Sequence, residues 1–241
     1  MTVPGLFTAV VAQAWEEIRL TLRRGESLLV TLLIPLGLLV FFASATVLPA
    51  ADRNVRFLLP GTVALAVIST GMVSLGIATA YERYYGVLKL LGATPLPRWG
   101  LVSAKLLAVL VLEIVQIALL VAIAALFYGW RPSTPVPTVL VAILLGSAAF
   151  AGLGLAMAGR LRAEMTLGVA NGLFLLFLLL GGLFVPLDRL PGAVGPIARL
   201  LPAHALAAAL RGSPALGEAW VVLIVWAILA PSLAALTFRW E

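Results

Sequence analysis

The chain has 241 residues, of which 63% are hydrophobic and only 11% charged, and its mean hydropathy is +1.14. Soluble domains carry roughly 25% charged residues, so this composition excludes an ordinary soluble domain and predicts an all-α integral membrane protein. The net charge of +6 does not require a nucleic-acid partner, because cations at the ends of membrane spans meet anionic lipid headgroups. The absence of cysteine excludes disulfides and thiolate chemistry.

The first predicted element is an amphipathic helix over residues 5–25. Its apolar face holds Leu6, Phe7, Val10, Val11, Ala14, Trp15, Ile18 and Leu22, and its polar face holds Gln13, Glu16, Arg19 and Arg23. This spacing is typical of a helix that lies in the membrane interface with its apolar side among lipid. The pattern leaves two interpretations open: a plain membrane anchor, or an element that also contacts a cytosolic partner.

Six apolar runs follow, each close to the ~20 residues that cross the hydrocarbon core of a bilayer. The predicted spans are Leu28–Leu48, Leu58–Ala80, Leu101–Phe127, Val136–Gly159, Thr166–Val185 and Trp220–Phe238. Six spans place both termini on one side of the membrane. With the termini in the cytoplasm, ten Lys and Arg residues lie inside and six outside, as the positive-inside rule favours. The sequence predicts a single transmembrane domain over residues 1–241.

The loop between the second and third spans, residues 81–98, concentrates charge. Arg83, Lys89, Arg98 and the following Lys105 stand against a single acid, Glu82. Helical spacing predicts a short amphipathic helix over 81–91, which the segment 94–97, Thr-Pro-Leu-Pro, ends. A charged helix that two spans hold on the cytosolic side is suited to docking a soluble partner.

Individual side chains of this loop have predicted roles. Glu82 and Arg83 would fix the start of the helix by ion pairs or hydrogen bonds to neighbouring cytosolic helices. Gly86 would let a partner backbone come close. Leu88 and Leu91 would supply the apolar contact with that partner.

Small residues recur four apart in the fourth and fifth spans, as the pairs Ala148 and Gly152, Gly154 and Ala158, and Gly168 and Gly172. Such spacing lets helix backbones approach closely. We interpret it as packing inside one bundle in preference to a dimer seam.

The outer segment, residues 186–217, has too many prolines for one helix. It predicts short re-entrant helices over 197–201 and 205–210 that dip into the outer leaflet. Irregular backbone at that depth must be buried in protein or line a cavity, so the segment is suited to capping or gating an exit path.

Motifs for catalysis are missing from the sequence. There is no GxxxxGK[ST] loop for ATP and no GxSxG motif, and the only histidine, His204, cannot build a histidine metal site. We therefore predict no catalytic residues, no metal site and no enzyme activity on this chain.

Polar residues inside predicted spans are candidates for a transport path or for contacts between helices. Glu113, with Gln116 one turn on, is either a protonated group hydrogen-bonded to a neighbouring helix or a contact on a substrate or proton path. The same two roles, contact between helices or contact on a path, are open for Ser69, Thr70, Ser74 and Asn171. The candidate path gains apolar surface from Met72, Phe174 and Phe177.

The loop sequence resembles the loop between spans two and three of type-2 ABC exporter permeases. The resemblance rests on Glu82, Arg83, Gly86, Val87, Leu88, Lys89, Leu91, Ala93, Thr94, Pro95, Leu96, Arg98, Trp99 and Lys105. The segment 181–212 is similar to the stretch between spans five and six in that family. The sequence of residues 92–98, GATPLPR, is most similar to the corresponding segment of bacterial drug and antibiotic-resistance exporters.

The resemblance implies a dimer, expected to be a homodimer, with two ATPase subunits docked below it. Residues 5–25 would be the connecting helix, and residues 81–98 would hold the coupling helix that transmits closure of the ATPase. Spans two and five would line the path, and residues 186–217 would form re-entrant helices near the exit. ATP and Mg²⁺ would bind to a separate ATPase chain, with no cofactor on this one.

The sequence thus predicts the permease subunit of an ATP-driven exporter in a bacterial or archaeal cytoplasmic membrane. Its cargo would be hydrophobic or amphipathic: a drug, a lipid or a lipid-linked compound. Two alternatives stay open. One is a membrane sensor or regulatory subunit that binds a cytosolic ATPase and transports nothing. The other is a secondary transporter that uses Glu113 as its proton carrier.

Overall fold

The computed structural model describes residues 5–23, 25–44, 54–93, 96–189, 192, 194–212 and 216–237, and the regular secondary structure of this part is helical. The α-helices are α1 Leu6–Arg23, α2 Gly25–Ser44, α3 Val55–Val67, α4 Leu75–Tyr84, α5 Val87–Gly92, α6 Arg98–Tyr128, α7 Val136–Arg160, α8 Ala163–Leu180, α9 Val194–Arg199, α10 Pro202–Arg211 and α11 Leu216–Thr237. A π-helical segment, Ile68–Ser74, joins α3 to α4, and a 3₁₀ turn covers Leu187–Arg189. The described part contains no strand, which confirms the all-α prediction.

Five helices in the described part are long and apolar enough to cross a membrane. They are Val55–Tyr84, Trp99–Tyr128, Val136–Arg160, Ala163–Leu180 and Gly217–Leu236. The remaining predicted span, 28–48, reaches beyond the described residues at its end, and its described apolar part is the shorter stretch Thr31–Ser44. A multi-pass membrane protein is therefore established, while the number of six spans stays a prediction.

The fifth span ends earlier than its predicted limit, Val185. Helix α8 stops at Leu180, and Gly181 and Gly182 follow it. Gly182 has φ +65°, a left-handed conformation that glycine adopts without steric strain and that ends a helix. The chain then turns towards α9 and α10, which occupy the places of the two predicted re-entrant helices with slightly shifted bounds.

Helix α7 lies at the centre of the bundle, where it packs against α11, α4, the π-helical segment and α10. Its glycines permit this contact: a Cβ atom on Gly152 would lie 2.4 Å from the nitrogen of Pro231, and one on Gly154 would lie 2.7 Å from the oxygen of Met72. Packing inside one bundle is thus confirmed for these two glycines. It is wrong for Gly168 and Gly172, because a Cβ atom on either would have no neighbour within 4 Å in the described chain.

Helix α1 packs along α6. Ala14 is buried there, and Ala9 and Val10 contact the adjoining apolar cluster. Phe7, two turns nearer the start of α1, is largely exposed, as expected for a side chain that meets lipid or a partner. Part of the predicted apolar face therefore packs against the protein, and part of it is exposed.

Candidate functional site

One buried ion cluster joins three helices at the end of the bundle that carries α5, which we term the loop end. The ammonium of Lys105 on α6 lies 2.8 Å from Oε1 of Glu17 on α1 and 2.7 Å from Oε2 of Glu82 on α4. The Lys105 side chain is 1% exposed, and the two carboxylates are 12% and 11% exposed. A lysine this deeply buried stays charged only where acids pair with it. This triad therefore ties α1 to the ends of the second and third spans.

Lys105 was counted with the loop cations, although the predicted third span, Leu101–Phe127, contains it, and the structure places it in that span. Lys105 lies inside α6, facing two acids that are 88 and 23 residues away in sequence. Glu17 was missed as a candidate altogether. A lysine inside a predicted apolar span is itself a signal, because an intramembrane cation needs a partner. The chain offers few acids that could serve, ten Asp and Glu in all.

Arg83, the residue after Glu82, holds the other side of α4. Its guanidinium donates a hydrogen bond to the carbonyl oxygen of Leu161, which lies in the turn between α7 and α8. Two successive residues of α4 thus bind different neighbours: Glu82 binds the Lys105 ammonium, and Arg83 binds the α7–α8 turn. Glu82 and Arg83 each have a partner, but the predicted partners, neighbouring cytosolic helices, are wrong: one is the third span and the other is an interhelical turn. The role of these residues in coupling stays a prediction.

The predicted single helix over 81–91 is interrupted. Helix α4 ends at Tyr84, and Gly86, with φ +74°, turns the chain before α5 begins. Gly86 is needed for this left-handed turn, since residues with a Cβ atom rarely adopt it. A Cβ atom there would meet nothing within 4 Å, so the space beside it is open.

The surface that α5 presents differs from the predicted one. Leu88 is 1% exposed and belongs to an apolar cluster with Leu96 and Leu101, so it cannot supply contact to a partner. Leu91 is half-buried against the same cluster. The exposed apolar residues of α5 are instead Leu90, at 74%, and Val87, at 40%, and the exposed Lys89 lies next to Leu90. Residues 94–95 and the side chain of Arg98 lie outside the described part.

The candidate path residues of the second span all fall in the π-helical segment. It contains Ser69, Thr70, Met72 and Ser74. π-helical turns are rare and frequently occur at functional sites. The hydroxyl of Thr70 donates to Oε1 of Gln116 on α6 at 3.0 Å.

Gln116 in turn bridges two helices. Its Nε2 donates to the carbonyl oxygen of Thr31 on α2 at 2.7 Å. Thr70 and Gln116 therefore hold the first three apolar helices together. Met72 is fully buried, whereas Ser69 and Ser74 are half-buried.

The candidate path residues of the fifth span occupy different faces of α8. Asn171 is exposed, and its amide donates back to the carbonyl oxygen of Leu167 at 2.8 Å. Phe174 is half-buried, while Phe177 is buried edge-on against Phe150, with 5.7 Å between ring centroids. Met72 and Phe177 thus pack into the core of the chain, and lining of a path by these residues stays a prediction.

Glu113 faces the central helix. It is 0% exposed, and the hydroxyl of Ser147 on α7 lies within hydrogen-bond distance of its Oε2. The same hydroxyl lies 2.8 Å from the carbonyl oxygen of Ile143. The Ser147 hydroxyl thus donates both to the Ile143 carbonyl within α7 and to the carboxyl group of Glu113 on α6. Within the described residues, Oε1 of Glu113 has no hydrogen-bond partner.

A second organised site lies at the opposite end of the bundle, around Arg211 at the end of α10. Its guanidinium donates to the carbonyl oxygens of Gly182 at 2.9 Å, Leu183 at 2.7 Å and Phe57 at 3.3 Å, and it lies 3.8 Å above the Phe57 ring. Burial lowers the pKa of the Arg211 guanidinium to about 10, so it remains charged at neutral pH. His204 lies nearby, and burial, together with the charges of Arg211 and Arg199, lowers its pKa. Sequence reasoning did not single out Arg211.

Comparisons with known proteins agree with this architecture. Residues 8–213 match the family model described as ABC-2 type transporter. A Bacillus subtilis (strain 168) protein named "Putative transport permease YvfS" is 25% identical over 202 residues, which cover 80% of each chain. The family match includes most of α1, the loop end and the segment that ends with Arg211. The chain therefore belongs to the ABC-2 type transporter family and is a multi-pass membrane permease of an ABC transporter.

Proposed function

We propose that this permease exports hydrophobic or amphipathic cargo from the cytoplasm, driven by ATP that separate ATPase subunits hydrolyse with Mg²⁺. The observation that carries the proposal is the Lys105 triad at the loop end. It joins α1, the second span and the third span immediately beside α5. A force applied to this end would move all three helices together, because separating any of them exposes an unpaired buried charge.

The ATPase would dock on the outward surface of α5. Leu90 and Lys89 are exposed there, while Leu88 fixes α5 to the spans behind it. An apolar side chain beside a cation is a suitable contact for a soluble partner with an acidic rim. The short turn at Gly86 keeps α5 close to α4, so displacement of α5 would be passed to the second span.

The path would lie on the open face of α8 in a dimer. Gly168, Asn171 and Gly172 are exposed along this helix, and the amide of Asn171 would be unfavourable against lipid hydrocarbon. A second copy of the chain would cover this face and enclose the cargo. We therefore expect two permease chains, alike in sequence, with two ATPase chains.

The loop end would face the cytoplasm of a bacterial or archaeal cell. It carries Arg83, Lys89, Arg160 and Arg162 at or near the ends of membrane spans, as the positive-inside rule favours. Both chain termini would then lie on the cytoplasmic side.

The test is a Leu90→Asp variant, compared with Ile197→Asp at the opposite end, where Ile197 is similarly exposed. Purified permease and its ATPase would be placed in proteoliposomes, and ATP hydrolysis and movement of a fluorescent phospholipid and a hydrophobic dye would be measured side by side. We expect Leu90→Asp to weaken ATPase binding and transport while Ile197→Asp leaves ATPase binding intact. Normal ATPase binding and transport in Leu90→Asp would refute docking on α5.

A further inference from the structure

A cavity of about 660 Å³ opens at the loop end, between the end of α4 and the α7–α8 turn. It is lined by Ala80, Arg83, Tyr84, Gly159, Arg160, Arg162, Ala163 and Glu164. Its volume lies within the range of about 300–1,000 Å³ that is common for small-ligand sites. The Lys105 triad and α5 are not part of its lining.

The charge of this cavity is strongly positive. Three arginines line it against one acid, Glu164. Arg160 and Arg162 are exposed and flank the α7–α8 turn, and Arg83 is oriented by its hydrogen bond to the Leu161 carbonyl in that turn. Arginine side chains that converge on one cavity suit a phosphate group, because each planar guanidinium can donate paired hydrogen bonds to its oxygens.

The position of the cavity indicates which class of molecule would carry the phosphate group. Three candidate spans, Val55–Tyr84, Val136–Arg160 and Ala163–Leu180, have an end here, so the cavity lies at the level of the membrane surface. Met165 and Leu167 follow on α8 and are exposed, which provides apolar surface directly beyond the arginines. A ligand with a phosphate at the surface and acyl chains below it fits both features. Basic pockets between membrane helices on the cytoplasmic side are typical binding sites for anionic headgroups.

We propose that this arginine cavity binds the phosphate of an anionic phospholipid headgroup. The lipid would be held between the second span and the α7–α8 turn, with its acyl chains along α8. This proposal does not depend on ATP-driven export, because lipid binding can be measured on the permease alone.

The experiment measures lipid retention by native mass spectrometry of the full chain purified with phosphatidylglycerol or phosphatidylcholine. The test variant is Arg160→Gln with Arg162→Gln, and the matched control is Arg131→Gln with Arg199→Gln, two exposed arginines at the opposite end. We expect the wild type and the control to retain phosphatidylglycerol in preference to phosphatidylcholine. The test variant should lose about 30-fold in affinity for phosphatidylglycerol, from the contribution of two surface arginines.

A melting temperature equal to that of the wild type would show that the test variant is folded. An additional sample would contain sn-glycerol 3-phosphate, which has the phosphate but no acyl chains. Retention of phosphatidylglycerol in its presence supports a lipid site, whereas full displacement at millimolar concentration would show a site for free phosphate compounds and overturn the assignment to lipid. Equal loss of phosphatidylglycerol in test and control variants, or no loss in either, would also overturn it.

Discussion

Replacing Lys105 with methionine tests the triad at the loop end. The change keeps most of the side-chain volume and removes the ammonium, which leaves Glu17 and Glu82 facing each other with little exposure to water. At 2.7–2.8 Å and an effective dielectric constant of about 20, each carboxylate is attracted to the ammonium by roughly 6 kcal/mol. Desolvation of the three charges offsets much of this attraction. Removing one partner of such a buried pair destabilises a protein by about 3–5 kcal/mol, and this is the loss that we expect.

The two carboxylates should respond differently from the lysine, because the triad has one cation and two acids. Glu82→Gln leaves one ammonium with one carboxylate, so it should cost only about 1.5–3 kcal/mol, the contribution of a hydrogen bond to a charged group. A triple variant, with Lys105→Met, Glu17→Gln and Glu82→Gln, removes every charge and should recover at least half of the loss caused by Lys105→Met alone.

The measurement is unfolding in mixed micelles with increasing dodecyl sulfate, followed by fluorescence of the six tryptophans. The free energies of unfolding of the wild type, the single variants and the triple variant would be compared under one condition. A loss below about 1 kcal/mol in Lys105→Met would refute a buried ion cluster. So would a loss in Glu82→Gln as large as that in Lys105→Met.

Three further predictions concern the core and the opposite end. A Cβ atom on Gly61 would lie 2.0 Å from the carbonyl oxygen of Leu183, so Gly61→Ala should lower the free energy of unfolding by about 1–3 kcal/mol. Gly168→Ala, which has open space around it, should cause no such loss. Equal losses in the two variants would contradict the packing. Glu113→Gln should keep the melting temperature within about 2 °C and leave transport unchanged, because the amide retains the contact with α7 without a charge. Loss of transport by a stable variant would instead indicate that Glu113 carries a proton or contacts cargo. The lowered pKa of His204 means that the folded state resists its protonation, so the stability linked to it is present above about pH 6.5 and is lost as the pH falls. The protection factors of the α10 amides, which correct for the slower intrinsic exchange at low pH, should therefore fall between pH 7.5 and 5.5, and His204→Gln should abolish that fall.

The helical class and most membrane spans could be predicted from the sequence, because an apolar run of sufficient length has few alternatives to a membrane helix. The early end of α8 at Gly181 and Gly182 was missed for the same reason: the apolar run continues through Leu183 and Phe184, and length alone does not show a left-handed turn. The break at Gly86 was missed although the glycine was noticed. The buried position of Leu88, directly after this turn, depends on an apolar cluster drawn from several helices, which local periodicity does not reveal.

The contacts of the candidate site were less predictable, since they join distant parts of the chain. Glu82 and Arg83 were identified as anchoring residues from their charge alone, and the structure gives both of them partners. The identity of those partners depends on how α1, α6 and α7 assemble. Periodicity places Leu88 on the same apolar stripe as Leu91. In the structure Leu88 faces inward, because it is buried in the apolar cluster that includes Leu101 of α6.

The Arg211 contacts have a consequence for the order of events during synthesis. The carbonyl groups of Gly182 and Leu183 follow the end of α8, and their partner guanidinium is 29 and 28 residues further along the chain. At about 5–20 residues per second, the ribosome supplies Arg211 roughly 1.5–6 s after these carbonyls. The carbonyl oxygen of Phe57 accepts a hydrogen bond from the same guanidinium, and Phe57 precedes Arg211 by 154 residues. This end of the bundle is therefore completed only after Arg211 has been synthesised, and a ribosome that stalls before Arg211 leaves these three carbonyl groups without their guanidinium partner.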